Sequence, residues 1–347
     1  MTPFEFKNLT GLSKPLTRLV EVIAEGIGGI SRPILTMVNT EAKAHEIKKI
    51  SEAIADSQES LGSVEYKDGY ITIKSEDSDG SFPMFPNANF KQRISSRITY
   101  QEAKKQSNIE HITQCAAEEL KTEEEVPTER PDPDWTARFF NIAEDITTEN
   151  MQRLWGKILA GEIKEPGAYS FRALELLKNL TQKEAELFVK VAQIAFYTGE
   201  AAFLPMKYYV GNTIPDVTQY LKENFNLEFV DLLILKEIGL LVDNNLKFKF
   251  GKTEEEVREI IFTCGNTLIQ IELPPSSPEQ NLTVIAFTEV GKQLIKLTEK
   301  IQPNQDYIKN FASHFKCEGV IVKTAQIVKW LPNGQFHITP FTELDLK

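Results

Sequence analysis

Apolar residues recur at helical spacing through much of this chain. Leu16, Leu19, Val20, Ile23, Ile27 and Ile30 form one stripe over residues 15–30. Gly26, Gly28 and Gly29 weaken its end by about 1 kcal/mol each relative to alanine, and Pro33 punctuates it. Ala42, Ile47, Ile50 and Ile54 mark a second helix over roughly 34–60. The pattern then switches. VEYKDGYITIK alternates around Asp68-Gly69, a favoured two-residue turn, and predicts a β-hairpin at 64–74. A polar, proline-punctuated loop fills 75–89, and a long helix spans 90–120.

Helical periodicity is densest from Asp134 to Phe188. Trp135, Phe139, Ile142, Ala143 and Ile146 predict one helix, with Asp134 as N-cap. Met151, Leu154, Trp155, Ile158 and Leu159 predict the next, capped by Thr147 or Thr148 and ended by Pro166-Gly167. Phe171, Leu174, Leu177 and Leu180 share a face of a third. Thr181 and Glu184 form a capping-box pattern that opens a fourth helix over 181–197. Short links between such helices predict a bundle, with both tryptophans in its core.

Beyond 200 the order is mixed. A helix near Leu227–Ile238 ends at Gly239, and LLILKEIGLLVDNNLKFKF runs helix, glycine cap, strand. GNTLIQIELP gives a second strand. LTVIAFTEVGKQLIKLT gives a third strand, a threonine N-cap and a helix. This order resembles a winged-helix module. Its candidate reading helix, NLEFVDLLILKEIG, carries one lysine and three acids, a poor match to DNA phosphates. The tail predicts a helix through Tyr307, Ile308, Phe311 and Phe315, then a hairpin around Pro332-Asn333-Gly334. The expected fold is mainly α (α+β). Its segments are N-terminal amphipathic helices (1–60), a hairpin and loop (61–90), a helical core (91–200), a winged-helix-like module (201–302) and a C-terminal helix with hairpin (303–347).

The run LWGKILAGEIKEPGAYSFRALELLKNLTQKEAELF resembles the bacterial proteins grouped as domain of unknown function 2806. The upstream segments GLSKPLTRLVEVIAEGIGGISRPI and SNIEHITQCAAEEL resemble the same group, so the resemblance covers most of residues 9–195. The chain is also similar, more loosely, to the abortive infection alpha family. These resemblances imply a bacterial or phage-borne protein with a role in antiviral defence. They carry over no catalytic residue.

Charge narrows the partners. Of 347 residues, 39 are Lys or Arg and 50 are Asp or Glu, a formal net charge of −11. That disfavours a general nucleic-acid coat. The charge is unevenly placed. The first half of the 90–120 helix carries Lys91, Arg93, Arg97, Lys104 and Lys105 against Glu102 alone. An acidic linker, EELKTEEEVPTERPDPD, follows, and its three prolines are expected to stop any helix. Cys115, Cys264 and Cys317 are widely spaced, with no C-x-x-C, which points to a reducing cytoplasm. The first ten residues, MTPFEFKNLT, do not read as a signal peptide. No stretch approaches the roughly 18 apolar residues of a spanning helix.

The sequence carries few residues in chemically suggestive arrangements. His45, His111, His314 and His337 lie apart, with no second ligand at metal-binding spacing. There is no phosphate loop and no G-x-S-x-G elbow. Gly26-Ile27-Gly28-Gly29 ends a helix, so it lacks the strand context that cradles phosphate. No metal, nucleotide cofactor or small-molecule substrate is therefore expected. The leading expectation is a non-enzymatic defence factor that binds a protein partner, a second copy of itself or the membrane surface, cytoplasmic or peripheral to the inner membrane. Its candidate surface is the stripe Leu16, Leu19, Val20, Ile23 and Ile27, which the bundle, a second copy of the chain or a partner surface must cover. Glycines that allow close approach make self-association through this stripe the expectation. One alternative is nucleic-acid sensing through the winged-helix-like part or the basic helix of Arg93, Arg97, Lys104 and Lys105. The other is an enzyme with a dispersed site.

Overall fold

A computed structural model describes residues 13–27, 63–67, 70–74, 90–207, 214–250, 257–275, 277–330 and 335–346, with only the backbone described between 63 and 74. The helix expected over 34–60, the loop at 75–89 and the Asp68-Gly69 turn lie outside them. The chain divides into two compact units, Met1–Phe171 and Arg172–Lys347.

The first unit is built on helices. Helix α1 (Lys14–Ile27) packs on α3 (Pro133–Ala143), while α2 (Phe90–Leu120) packs along α4 (Glu149–Lys164). The hairpin is present as β1 (Ser63–Lys67) and β2 (Tyr70–Lys74), paired from Ser63↔Lys74 to Lys67↔Tyr70. The core is aromatic and aliphatic. The Trp135 and Phe139 rings stack at 5.2 Å, and Phe139 lies 5.4 Å from Trp155, which is wholly buried. Both tryptophans are core residues, as their periodicity predicts.

One cap differs from expectation. Asp132, rather than Asp134, caps α3, its Oδ1 accepting from the Trp135 N–H at 2.9 Å. Pro133 then takes the first helical position, where its missing N–H costs nothing. Pro133 of the acidic linker thus begins a helix, whereas α2 has already ended at Leu120, ahead of Pro127. That linker is mostly exposed but tied down: Lys14 meets Glu125 at 3.1 Å, Arg130 meets Glu21 at 3.3 Å and Lys164 meets Glu123 at 3.2 Å.

The second unit opens with α5 (Phe171–Asn179), whose first residue still belongs to the first unit, and α6 (Gln182–Gln193). The capping box of α6 forms as predicted. Glu184 N–H donates to Thr181 Oγ1 at 3.3 Å, and Thr181 N–H donates to Glu184 Oε2 at 2.8 Å. The helix stops at Gln193 and not at 197, because residues 196–198 join a sheet. Strands β3 (Phe196–Thr198), β4 (Ala201–Pro205), β5 (Leu246–Phe250), β6 (Arg258–Cys264), β7 (Thr267–Leu273), β8 (Gln280–Ala286), β9 (Ile321–Trp330) and β10 (Phe336–Ile338) run in the order β10-β9-β7-β6-β3-β4-β8-β5. A short β11 (Thr342–Glu343) also pairs with β9, and every pairing is antiparallel.

This sheet does not bear out the winged-helix expectation. Helix α7 (Val217–Phe225) is not foreseen by the sequence pattern, but α8 (Phe229–Glu237) precedes β5 as expected, and Thr288 caps α9 (Glu289–Ile295) by accepting from Gly291 N–H. The strands, however, do not form a small local wing. They belong to one nine-stranded sheet that also takes in 196–205 and the tail. The tail helix α10 (Gln305–Ala312) is part of this core and no appendage. Phe311 stacks on Phe196 at 3.9 Å and meets Phe262 edge-on at 5.0 Å, with all three rings fully buried.

Candidate functional site

The N-terminal stripe has a cover. Leu19, Val20 and Ile23 are fully buried, while Leu16 and Ile27 are half-buried. The close approach that Gly26 allows is made within the chain. A Cβ on Gly26 would overlap the Phe140 ring of α3. The described part of the apolar stripe is thus a seam of the bundle, so of its possible covers the bundle is the one seen, and the stripe is not held free for a second copy or a partner. Gly28 and Gly29 lie outside the described residues.

The basic helix is different. Arg93, Arg97 and Lys104 are exposed, and α2 has no buried residue before Asn108 among those described. Lys105 is held by Glu144 at 2.9 Å and lies 3.7 Å from Glu102. The Glu144 hydrogen bond raises its pKa above the ordinary lysine value. Arg93 lies over the Phe90 ring at 5.9 Å.

Deeper in the same unit lies a polar cluster that sequence reasoning missed. Asn108 donates from Nδ2 to the Glu144 carbonyl at 2.7 Å. Gln152 donates from Nε2 to Asn108 Oδ1 at 3.2 Å and to the Ile146 carbonyl at 3.0 Å, and its Oε1 lies 3.2 Å from His111 Nδ1. Asn108 and Gln152 are both buried, so the bonds offset the cost of removing two amides from water. The cluster joins α2, the start of α4 and the turn between α3 and α4.

Glu162 is the second missed residue. It is 1% exposed, and its carboxylate accepts from Gly167 N–H at 2.6 Å and Tyr169 N–H at 3.0 Å. Trp135 Nε1–H donates to the Tyr169 carbonyl at 2.7 Å. Gly167 has φ +87°, a left-handed conformation that favours glycine. The Pro166-Gly167 break is therefore a turn pinned from beneath by a buried acid and an indole. Burial raises the Tyr169 hydroxyl above the ordinary phenol range. The only sequence signal for these roles was position: acids and amides on the inward side of strongly periodic helices.

These residues lie in the stretch that a family model recognises. The family described as protein of unknown function (DUF2806) matches residues 92–312, more than half of the sequence. The chain belongs to this family. The match holds SNIEHITQCAAEEL and LWGKILAGEIKEPGAYSF but not the N-terminal GLSKPL segment, and it runs on through the sheet to α10. The DUF2806 region is therefore a helical core together with most of the sheet. No curated protein and no solved structure matches the chain.

Among the described residues, no group of three or more His, Cys, Asp or Glu could hold a metal ion, and no helix is long and apolar enough to cross a membrane. His314 Nε2–H donates to the Lys207 carbonyl at 2.7 Å, and burial lowers its pKa. Cys264 is buried and its thiol pushed up by burial, while Cys115 and Cys317 are half-buried. A shallow pocket of about 140 Å³ lies in the second unit, lined by Lys190, Gln193, Phe225, Asn304 and Tyr307. Its tyrosine hydroxyl already donates to the Ile194 carbonyl at 2.8 Å.

Proposed function

We propose that this protein is a non-enzymatic binding factor of bacterial antiviral defence, acting through contact with a protein partner or a second copy of itself. One observation supports the reading. The polar residues of the DUF2806 stretch, Asn108, Gln152 and Glu162, are turned inward to hold the bundle, while charged Arg93, Arg97 and Lys104 face solvent. Inward polar groups fix a scaffold, and outward groups meet partners. The defence role rests on the looser likeness to the abortive infection alpha family.

The test is phage challenge of cells carrying the gene, with affinity capture from infected cells. Reduced plaque formation, lost when Arg93 and Arg97 are changed to glutamate without loss of folded protein, is the expected result. Protection that survives removal of these exposed charges would count against the surface. No protection against a broad phage panel would count against the defence role.

A further inference from the structure

Positions 93, 97, 100, 104, 107, 111, 114 and 118 of α2 follow alternating steps of four and three residues, the spacing that keeps side chains on one side of a helix facing a partner helix. Six of the eight are exposed, while Ser107 and His111 are half-buried, with His111 turned toward Gln152 of α4. The helix packs into its bundle instead through Asn108, Ile109, Ile112, Ala116 and Leu120. The outer ridge is polarised. Arg93, Arg97 and Lys104 stand at one end, with Tyr100 between them. Glu118 is at the other, beside exposed Glu119, and the acidic linker continues from there.

The two ends cannot neutralise one another within a chain. At 1.5 Å per residue, Arg93 and Glu118 are about 38 Å apart along the helix. The screening length at physiological salt is about 8 Å. A second copy laid antiparallel solves this. Two-fold symmetry makes an interface self-complementary, so the basic end of each helix meets the acidic end of the other, twice. A nucleic acid would suit the basic end alone. A strand following the ridge beyond Lys104 runs into Glu118, Glu119 and the linker carboxylates, in a chain of net charge −11.

We propose that two copies of this chain associate through antiparallel α2 helices, with Arg93 and Arg97 of each copy facing Glu118 and Glu119 of the other. This interface replaces the N-terminal stripe as the seat of self-association. It rests on the binding reading above and names its partner. Exposed ion pairs are individually weak, so the association is salt-sensitive.

The experiment is light scattering on the full chain with two charge-reversed variants, R93E/R97E and E118K/E119K, each checked for helical content. The wild type is expected to show twice the chain mass at about 0.1 M salt and the single mass near 1 M, as the screening length falls from about 10 to about 3 Å. Each variant alone is expected to be a monomer at low salt. Mixed in equal amounts, the two are expected to recover the doubled mass, because in the mixed pair both contacts are again complementary. A wild type that is monomeric at low salt, a variant that stays dimeric, or a mixture that fails to re-associate overturns the proposal. A monomeric wild type that retards a single-stranded oligonucleotide, with R93E/R97E losing that and E118K/E119K keeping it, overturns it in favour of nucleic acid. A monomer that still protects cells removes this partner alone. A dimer that gives no protection removes the defence reading alone.

Discussion

Replacing Gly156 with alanine sets two effects of known size against each other. Gly156 lies inside α4, and alanine in a helix interior is favoured over glycine by about 1 kcal/mol. Propensity alone therefore predicts a more stable protein. The α2–α4 contact predicts the reverse. A Cβ at 156 would overlap Cys115 Cβ and come within 3.0 Å of both Ala116 N and Ile112 O. Two of these obstacles are backbone and the third is a Cβ, so no rotamer change relieves them. The helices must separate. Ile112, Ala116, Trp155 and Ile158 flank the contact and are almost wholly buried. A gap of 0.5–1 Å forfeits about a quarter to a half of each dispersion contact, and overpacking of this kind costs about 1–3 kcal/mol. With rigid obstacles the upper end applies, leaving a net loss of about 2 kcal/mol, or roughly 4–8 °C for a unit of this size. Urea unfolding followed by tryptophan fluorescence reads it directly, since Trp135 and Trp155 both lie in this unit. Cys115→Gly removes the worst overlap, so the double variant is expected to lose less than the sum of the single losses. A Gly156→Ala protein as stable as wild type, or more so, refutes the reasoning.

Further predictions concern the same core and the second unit. Glu162→Ala strands the Gly167 and Tyr169 N–H groups and is expected to cost on the order of 3 kcal/mol, with Glu162→Gln intermediate because one carbonyl acceptor remains; urea midpoints check both. Trp155→Ala is expected to cost about 3–5 kcal/mol through lost packing and a cavity, and unchanged thermal unfolding would contradict its core position. Burial lowers the His314 pKa below its ordinary 6.5, so the unfolded chain takes up that proton first. Its contribution to stability is complete above about pH 6.5 and is lost as pH falls below that value. His314→Gln, which keeps a donor for the Lys207 carbonyl, is expected to flatten this part of the pH–stability curve; an unchanged curve would show that another group sets it.

The helical half was legible because its signals are local. Period 3.6 marks Trp135–Phe139 and Trp155–Leu159 as inward faces, and Thr181–Glu184 writes its own cap. The sheet was legible only in part. Residues 188–197, FVKVAQIAFY, extend the helical pattern as far as Tyr197, so β3 could not be told from more helix, and the Thr198-Gly199-Glu200 break read as the helix end and not as the turn between β3 and β4. What ends α6 is pairing with strands far along the chain, Phe196 with Phe203 and with Cys264. Such partners leave no mark at the position itself. The winged-helix expectation goes without support for a related reason. The sequence pattern misses α7 and β6, and the order of the elements it does mark does not say which strands are neighbours.

The charge of α2 shows a different limit. The basic run before 106 and the acidic run after 117 are each plain in the sequence, but as a basic helix and an acidic linker they read as unrelated solvated segments. One uninterrupted 31-residue helix makes them two ends of a single ridge. Their sign reversal then becomes a geometric property, a fixed separation of opposite charges along an axis. An isolated basic face calls for an anion of any kind. A basic face rigidly joined to an acidic one calls for something polarised in the opposite sense over about the same length, and an antiparallel copy of the same helix meets both conditions without further assumption. The buried amides support this argument from the other side. Asn108 and Gln152 bond α2 to α4 and to the turn before it at the point where the helix enters its bundle. Breaking that cluster should therefore blur the direction of the ridge without touching its charges. Asn108→Ala is expected to weaken association while Arg93, Arg97, Glu118 and Glu119 remain in place, and light scattering that finds the wild-type mass at every salt concentration would separate the cluster from the interface.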